Sequence, residues 1–361
     1  MNSLISIQIL RAVAAWLVVY HHYRSTLYED ESNVSLGMLG VSIFFLISGF
    51  IMFYSLASRT CSAKEFFVRR LIRIVPAYWF YTFLTVLLSL MYAKEFSSTF
   101  VASTGWNLNN LISSLFFIGS KVPSGVVYFP ILRVGWTLSF EMFFYALLSL
   151  CILTFGRLSF WACIFALFLL PLAWDEQWVC TLLLSNKFLW LFAYGIILGY
   201  AYIKLRNTKP LLLYVAGIAL IVVDIALIVL DVTPFTNPQA LIWIDYLSKF
   251  LLIIGGGFEP LCAILLIGSA LCFESVLSKT RVNALRWLRY LGDVSYSTYL
   301  LHTLVLGVLL RYIWRPESTS GELFLLPMTA LIIFAISHLS YQYIETGPLL
   351  KTLIRKIRGW G

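Results

Sequence analysis

Charge is scarce in this 361-residue sequence: Asp, Glu, Lys and Arg together make up 12%, about half the roughly 25% of an ordinary soluble domain. Such a chain is neither a soluble enzyme nor a disordered tail, since disorder needs low hydrophobicity and high net charge. Cysteine is sparse and unpatterned. The six (Cys61, Cys151, Cys163, Cys180, Cys262 and Cys272) form no CxxC or metal-spaced set, and most sit in apolar runs where a free buried thiol is expected. The four histidines are dispersed without a ligand-spaced cluster, so no metal is implied. Internal repeats, low-complexity tracts and long basic blocks are also missing, and nothing points to nucleic acid. What is abundant is apolar surface, with 60% of residues hydrophobic and 17% aromatic. A single core stops growing beyond roughly 250–300 residues and cannot absorb so much. The remaining solvent is lipid, so the sequence reads as an all-α, polytopic transmembrane bundle.

A spanning helix needs about 20 mostly apolar residues. Candidate spans are 7–27, 36–57, 74–93, 132–155, 158–174, 178–203, 210–230, 246–273, 290–312 and 323–344. A β-barrel is excluded because these runs are long and continuous, not alternating segments of about ten residues. The stretch 108–119 reads as a short re-entrant or interfacial helix, and 178–187 is interrupted by Lys187. The first apolar run carries Arg11, His21 and His22 and no clear cleavage site, which makes it a first span and not a signal peptide.

Net charge is +9, and in a membrane protein that excess orients the chain. With the N-terminus inside, the inner loops collect Arg59, Lys64, Arg69, Arg70 and Arg73, then Arg157, then Lys204, Arg206 and Lys209. They end with Lys279, Arg281, Arg286 and Arg289, and with the tail's Lys351, Arg355, Lys356 and Arg358. The outer loops offer only Lys94, Lys121, Arg133 and Arg315, and the first is acidic at Glu29, Asp30 and Glu31. About ten spans with both termini cytoplasmic satisfy this bias. Residues 1–345 are expected to form one transmembrane domain, followed by a short basic cytoplasmic tail at 346–361.

Ionisable residues inside spans are costly and therefore functional candidates. In RAVAAWLVVYHH, ten residues separate Arg11 from His22. The helix makes about three full turns between them, leaving both on one face with a rise of roughly 16 Å. His21, rotated about 100° away, leaves that face. Glu141, in GWTLSFEMFFY, falls roughly 13 Å below the outer face, and His302, in VSYSTYLLH, roughly 18 Å above the inner one. An acid and two imidazoles at similar depth suit proton chemistry or proton transport. Spacing does not choose between them, and a snorkelling Arg11 with an interfacial His22 is the bland alternative. Ser295 and Tyr299 share the His302 face, where polar packing between helices is the competing account. His338 lies near the inner end of the last span and reads as structural or interfacial.

The first inner loop carries FFVRRLIRIVP. Arg70 and Arg73, three apart, project together if the helix begins before them. Paired guanidinium forks suit phosphate oxygens, although the positive-inside rule also collects arginines there. With Arg11 on the same side, they suggest an anionic group held at the cytoplasmic rim.

The chain resembles the acyltransferase-3 family of bacterial membrane acyltransferases, which includes enzymes that O-acetylate exopolysaccharides and lipopolysaccharide glycans. The resemblance runs through IQILRAVAAWLVVYHH, GVSIFFLISGFIM, the RLIR of the inner loop, GWTLSFEMFFY, LGDVSYSTYLLH and IETGP in that order. Arg11 and His22 match the family's basic residue and histidine separated by ten residues, Arg70 and Arg73 its paired arginines, and Glu141 its Trp-Ser-Leu-x-x-Glu segment. Some members append a periplasmic hydrolase-like domain; this sequence ends soon after its last span and is expected to be a stand-alone transferase.

The resemblance implies transfer of an acyl group, most often acetyl, from cytoplasmic acyl-CoA to a hydroxyl of a cell-surface or polyprenyl-linked glycan at the bacterial inner membrane. Arg70, Arg73 and Arg11 would then bind the donor's nucleotide end, His22 would be the general base or an acyl carrier, and Glu141 and His302 further catalytic groups. Ser295 and Tyr299 would support them. No permanently bound cofactor is implied; acyl-CoA is the donor substrate, and membrane lipid and polysaccharide-synthesis machinery are the surroundings. The competing reading is a transporter or flippase, which also uses ionisable groups at the midplane. No repeat favours it, although Gly255–Gly257 and Pro260 break one span. A weaker third reading is a structural subunit of a polysaccharide synthase.

Overall fold

The computed structural model describes residues 4–28, 34–57, 61–91, 107–121, 128–173, 186–207, 210–232, 258–280, 282–310, 319–348 and 352. The chain folds into a helical bundle. Its elements are α1 (Ile5–Tyr28), α2 (Val34–Leu56), α3 (Ala63–Met91), the short α4 (Leu108–Leu115), α5 (Trp136–Phe155) and α6 (Ser159–Ala173). There follow α7 (Phe188–Leu205), α8 (Pro210–Val232), α9 (Phe258–Cys272), a single turn α10 (Glu274–Leu277), α11 (Asn283–Val308) and α12 (Thr319–Ser340). The only strands among the described residues are β1 (Ser120–Lys121) and β2 (Tyr128–Phe129), paired antiparallel.

Among the described residues, six helical segments are long and apolar enough to cross a membrane. One of these, Arg133–Leu172, is really the pair α5 and α6, turned at Gly156 with φ +51. Pro210–Val223, the first part of α8, and Phe258–Cys272 are further apolar helical stretches. The expected span starting at 74 lengthens most: α3 begins at Ala63, so Arg69, Arg70 and Arg73 ride on the helix itself. Glu65 in its first turn and the Ser62 hydroxyl, which accepts from the Glu65 N–H at 3.2 Å, explain the earlier start by capping. The Lys187 interruption precedes α7, while 178–185, 246–257 and most of the 346–361 tail lie outside the described residues.

The segment 108–119 does form a short helix. Asn107 accepts from the Asn110 N–H at 2.8 Å as its N-cap. Its C-terminal end docks on α3, where the Tyr78 hydroxyl donates to the Ser114 carbonyl at 2.8 Å and the Trp79 indole to the Leu115 carbonyl at 2.9 Å. The indole bond satisfies a carbonyl at the helix end, and the Ser114 carbonyl accepts from the Phe117 N–H at 2.9 Å as well as from Tyr78.

At the centre, α2 packs against α1, α5, α7 and α9, and α1 packs against α11. Glutamate caps α1 from a distance: Glu274 of α10 accepts from the Ile5 N–H at 2.9 Å and the Ser6 N–H at 2.8 Å. A carboxylate on two free N–H groups complements the positive helix end and fixes the start of the helix that carries Arg11 and His22.

The crossing of α1 and α11 requires glycine. A Cβ added at Gly292 would lie 2.0 Å from the Gln8 carbonyl oxygen, a backbone atom that cannot swing aside. Small residues allow such close helix approaches within a membrane. Gly292→Ala is therefore expected to lower stability. Alanine gains up to about 1 kcal/mol in helix propensity, but overpacking costs about 1–3 kcal/mol. A thermal melt of the detergent-solubilised protein checks this, and an unchanged or higher midpoint contradicts the close crossing.

Candidate active site

Four arginines, Arg11, Arg69, Arg70 and Arg73, line a cavity of about 700 Å³ between α1, α2, α3, α5 and α11. That volume falls within the usual range for small-molecule sites, about 300–1,000 Å³. Arg69 pairs with Glu65 one turn earlier. Arg11 donates to the Gln8 side chain at 3.2 Å, and no carboxylate lies within ion-pair distance of Arg11, Arg70 or Arg73 among the described residues. The Arg70 guanidinium sits 5.8 Å from the Phe66 ring centroid and 5.9 Å from that of Tyr145. Its Nε is buried with no hydrogen-bond partner. An unpaired buried donor is expensive, and an anion entering the cavity would satisfy it.

Two carboxylates share the cavity. Glu141 accepts from Ser48 at 2.9 Å and from Tyr145; its hydrogen-bond partners are thus on α2 and α5, and His22 is not among them. Glu345, in a π-helical turn Tyr341–Glu345 after α12, accepts from Ser297, whose hydroxyl also meets Ser340 at 2.7 Å. Glu345 was not singled out from the sequence, although it is the acid of the IETGP segment, and a π-turn often marks a functional site. Tyr145, Thr137 and Tyr296 also line the cavity; nothing in their sequence spacing distinguished them from other aromatic and hydroxyl residues.

The histidines form a separate cluster. His22 and His302 meet edge to face with ring centroids 5.0 Å apart, and His302 Nε2 lies 3.5 Å from His22 Nδ1. His302 Nδ1 is 3.1 Å from the Thr298 carbonyl and His22 Nδ1 is 3.0 Å from the Val18 carbonyl. A carbonyl only accepts, so each Nδ1 carries the hydrogen in the neutral ring. His302 Nε2 then presents a lone pair toward the His22 N–H, and His22 Nε2 keeps its own lone pair for chemistry. His302 is fully buried. His21 packs over Gly37 of α2, where an added Cβ would meet its ring at 2.7 Å, but its ring also meets that of His22 edge to face at 4.9 Å, so it borders the imidazole pair.

The remaining residues divide cleanly. Tyr299 lines the arginine cavity and also stands 5.9 Å from the His302 ring. Ser295 donates to the Gly292 carbonyl of its own helix at 2.7 Å and joins neither cluster. His338 meets Tyr290 and lies 2.9 Å from Gln342, away from both. Among the described residues no group of three or more His, Cys, Asp or Glu is placed to hold a metal.

A bundle of apolar helices thus encloses a cavity lined by arginines and, beside it, a pair of imidazoles, an arrangement whose chemistry suits an anionic ligand and proton transfer. The chain belongs to the acyltransferase-3 family, whose acyltransferase domain matches residues 4–339. It is also 32% identical over 288 residues to the exopolysaccharide production protein ExoZ of Rhizobium meliloti strain 1021, spanning 77% of this chain and 80% of that relative. No solved structure matches it significantly. The protein is accordingly a membrane acyltransferase, and the transporter alternative is set aside.

Proposed function

We propose that this enzyme moves an acetyl group from cytoplasmic acetyl-CoA to a hydroxyl of a cell-surface or lipid-linked glycan, across a bacterial inner membrane that it crosses ten times with both termini inside. The observation that carries the reading is the cavity's set of guanidinium groups without carboxylate partners, Arg70 foremost. They suit the phosphates of the donor's nucleotide end. The exopolysaccharide role in the name of the Rhizobium relative supports a glycan acceptor and work beside polysaccharide-synthesis machinery. No permanent cofactor is required.

In this mechanism the thioester arm extends from the arginines toward the histidine pair. His22 Nε2 takes the proton of the acceptor hydroxyl as that oxygen bonds to the acyl carbon. The carbon–sulfur bond breaks and the departing sulfur receives a proton. His302 holds the His22 ring in the correct tautomer, as the third member of a catalytic triad does. Glu141 and Glu345 shape the donor cavity.

Purified protein given radiolabelled acetyl-CoA and a glycan acceptor is expected to transfer label to the glycan. Movement of acceptor across vesicles without label transfer would overturn the proposal.

A further inference from the structure

The arginine-lined cavity stops short of the histidines. Its lining includes Phe44 of α2, Thr137 of α5 and Tyr299 of α11, while neither His22 nor His302 lines it. Tyr299 stands at the boundary, with its ring 5.7 Å from Phe44 and 5.9 Å from His302. It precedes His302 by three positions, hence shares its helix face.

The hydroxyl of Tyr299 is tied to the opposite wall. It donates to the Val134 carbonyl at 2.9 Å and shares a 2.8 Å hydrogen bond with the Thr137 hydroxyl. Thr137 is itself 3.2 Å from that same carbonyl. All three residues are buried. The tie therefore joins α11 to the start of α5 and the turn before it, between donor cavity and imidazoles.

We propose that Tyr299 and Thr137 form a latch that keeps the donor cavity apart from the His22–His302 pair and opens to let the thioester through. The proposal rests on the donor-and-histidine reading above. Its chemical use is exclusion of a side reaction: with the latch shut, the thioester cannot meet both the basic imidazole and water. With it loosened, a water oxygen bonds to the acyl carbon, the carbon–sulfur bond breaks, and acetate and free thiol leave, with one water proton going to the sulfur and the other to His22 Nε2 and on to solvent. Two hydrogen bonds are a small enough restraint for a bound donor to shift the balance. Thr137 is the informative position, because valine keeps its shape and removes only the hydroxyl.

The test uses purified full-length Thr137→Val and Tyr299→Phe proteins, with size-exclusion profiles confirming that each is folded. Two readouts are taken: thiol released from acetyl-CoA without any acceptor, and carbethoxylation of His302 by diethyl pyrocarbonate, read by peptide mass spectrometry. Both are expected to rise about tenfold in either variant, the effect of losing one or two buried hydrogen bonds. His302 labelling that stays at the wild-type rate in both variants overturns the latch, whatever the activity. Faster labelling with no thiol release from any of the proteins, wild type included, upholds the latch and overturns the acyl-CoA reading instead. Faster labelling with thiol release only from wild type overturns the proposed use of the latch.

Discussion

Changing His22 to alanine is expected to lower glycan acetylation by about 10²–10⁴-fold, the range for loss of a general base, with little change in the amount of folded protein in the membrane. The asymmetry follows from how the ring is held. Its Nδ1 is committed to the Val18 carbonyl and the His302 side chain, leaving Nε2 for the acceptor. His22 is partly buried, so its loss opens a modest gap; it also takes from the buried His302 Nε2 its 3.5 Å contact with His22 Nδ1, while the Nδ1 of His302 keeps the Thr298 carbonyl. His302→Ala should cost less, since the Val18 carbonyl still orients the His22 ring. Acetylation at the wild-type rate in the His22 variant would remove the residue from the mechanism. A His302 variant more damaged than the His22 variant would transfer the base role to His302.

The second large effect concerns the donor. Replacing Arg70 and Arg73 together with alanine is expected to raise the KM for acetyl-CoA by on the order of 10²-fold, because charge-assisted hydrogen bonds are among the strongest single contacts. The kcat should change much less, since neither arginine lies at the histidine pair. Arg70→Lys is expected to fall between, as it keeps charge but loses the planar fork. Arg69→Ala should matter little: its side chain is 40% exposed and paired with Glu65, the type of contact worth the least. A double variant with unchanged KM and lowered kcat would place the arginines in the chemistry and not in donor binding.

Much of this arrangement was legible along single helices. Ten intervening residues put Arg11 and His22 on one face, and the structure places Arg11 in the cavity and His22 in the imidazole pair. The grouping of Arg70 with Arg73 came from a three-residue spacing in the same way. Glu141 shows where that reasoning ran out. Depth alone set it level with the histidines, but depth says nothing of the direction a helix turns its side chains toward its neighbours. Packing of α5 against α2 set Glu141 against Ser48, while its other partner, Tyr145, lies one turn on in the same helix. Glu345 failed for a related cause: it lies past the last apolar run, and only the π-turn after α12 returns it to the cavity.

The scarcity of charge determined, from sequence alone, that this chain lives among lipids and that its few ionisable groups within helices are the places to look. Periodicity and residue type determined which of them share a helix face, because a helix repeats at a known angle and rise. Tertiary structure alone decided which helices meet, through close crossings such as that of Gly292 with the Gln8 carbonyl. It also decided that the arginines and the imidazoles are two clusters and not one, separated by Tyr299. Contacts between helices depend on rotations and crossing angles set by complementary shape on both partners, and no single segment encodes those.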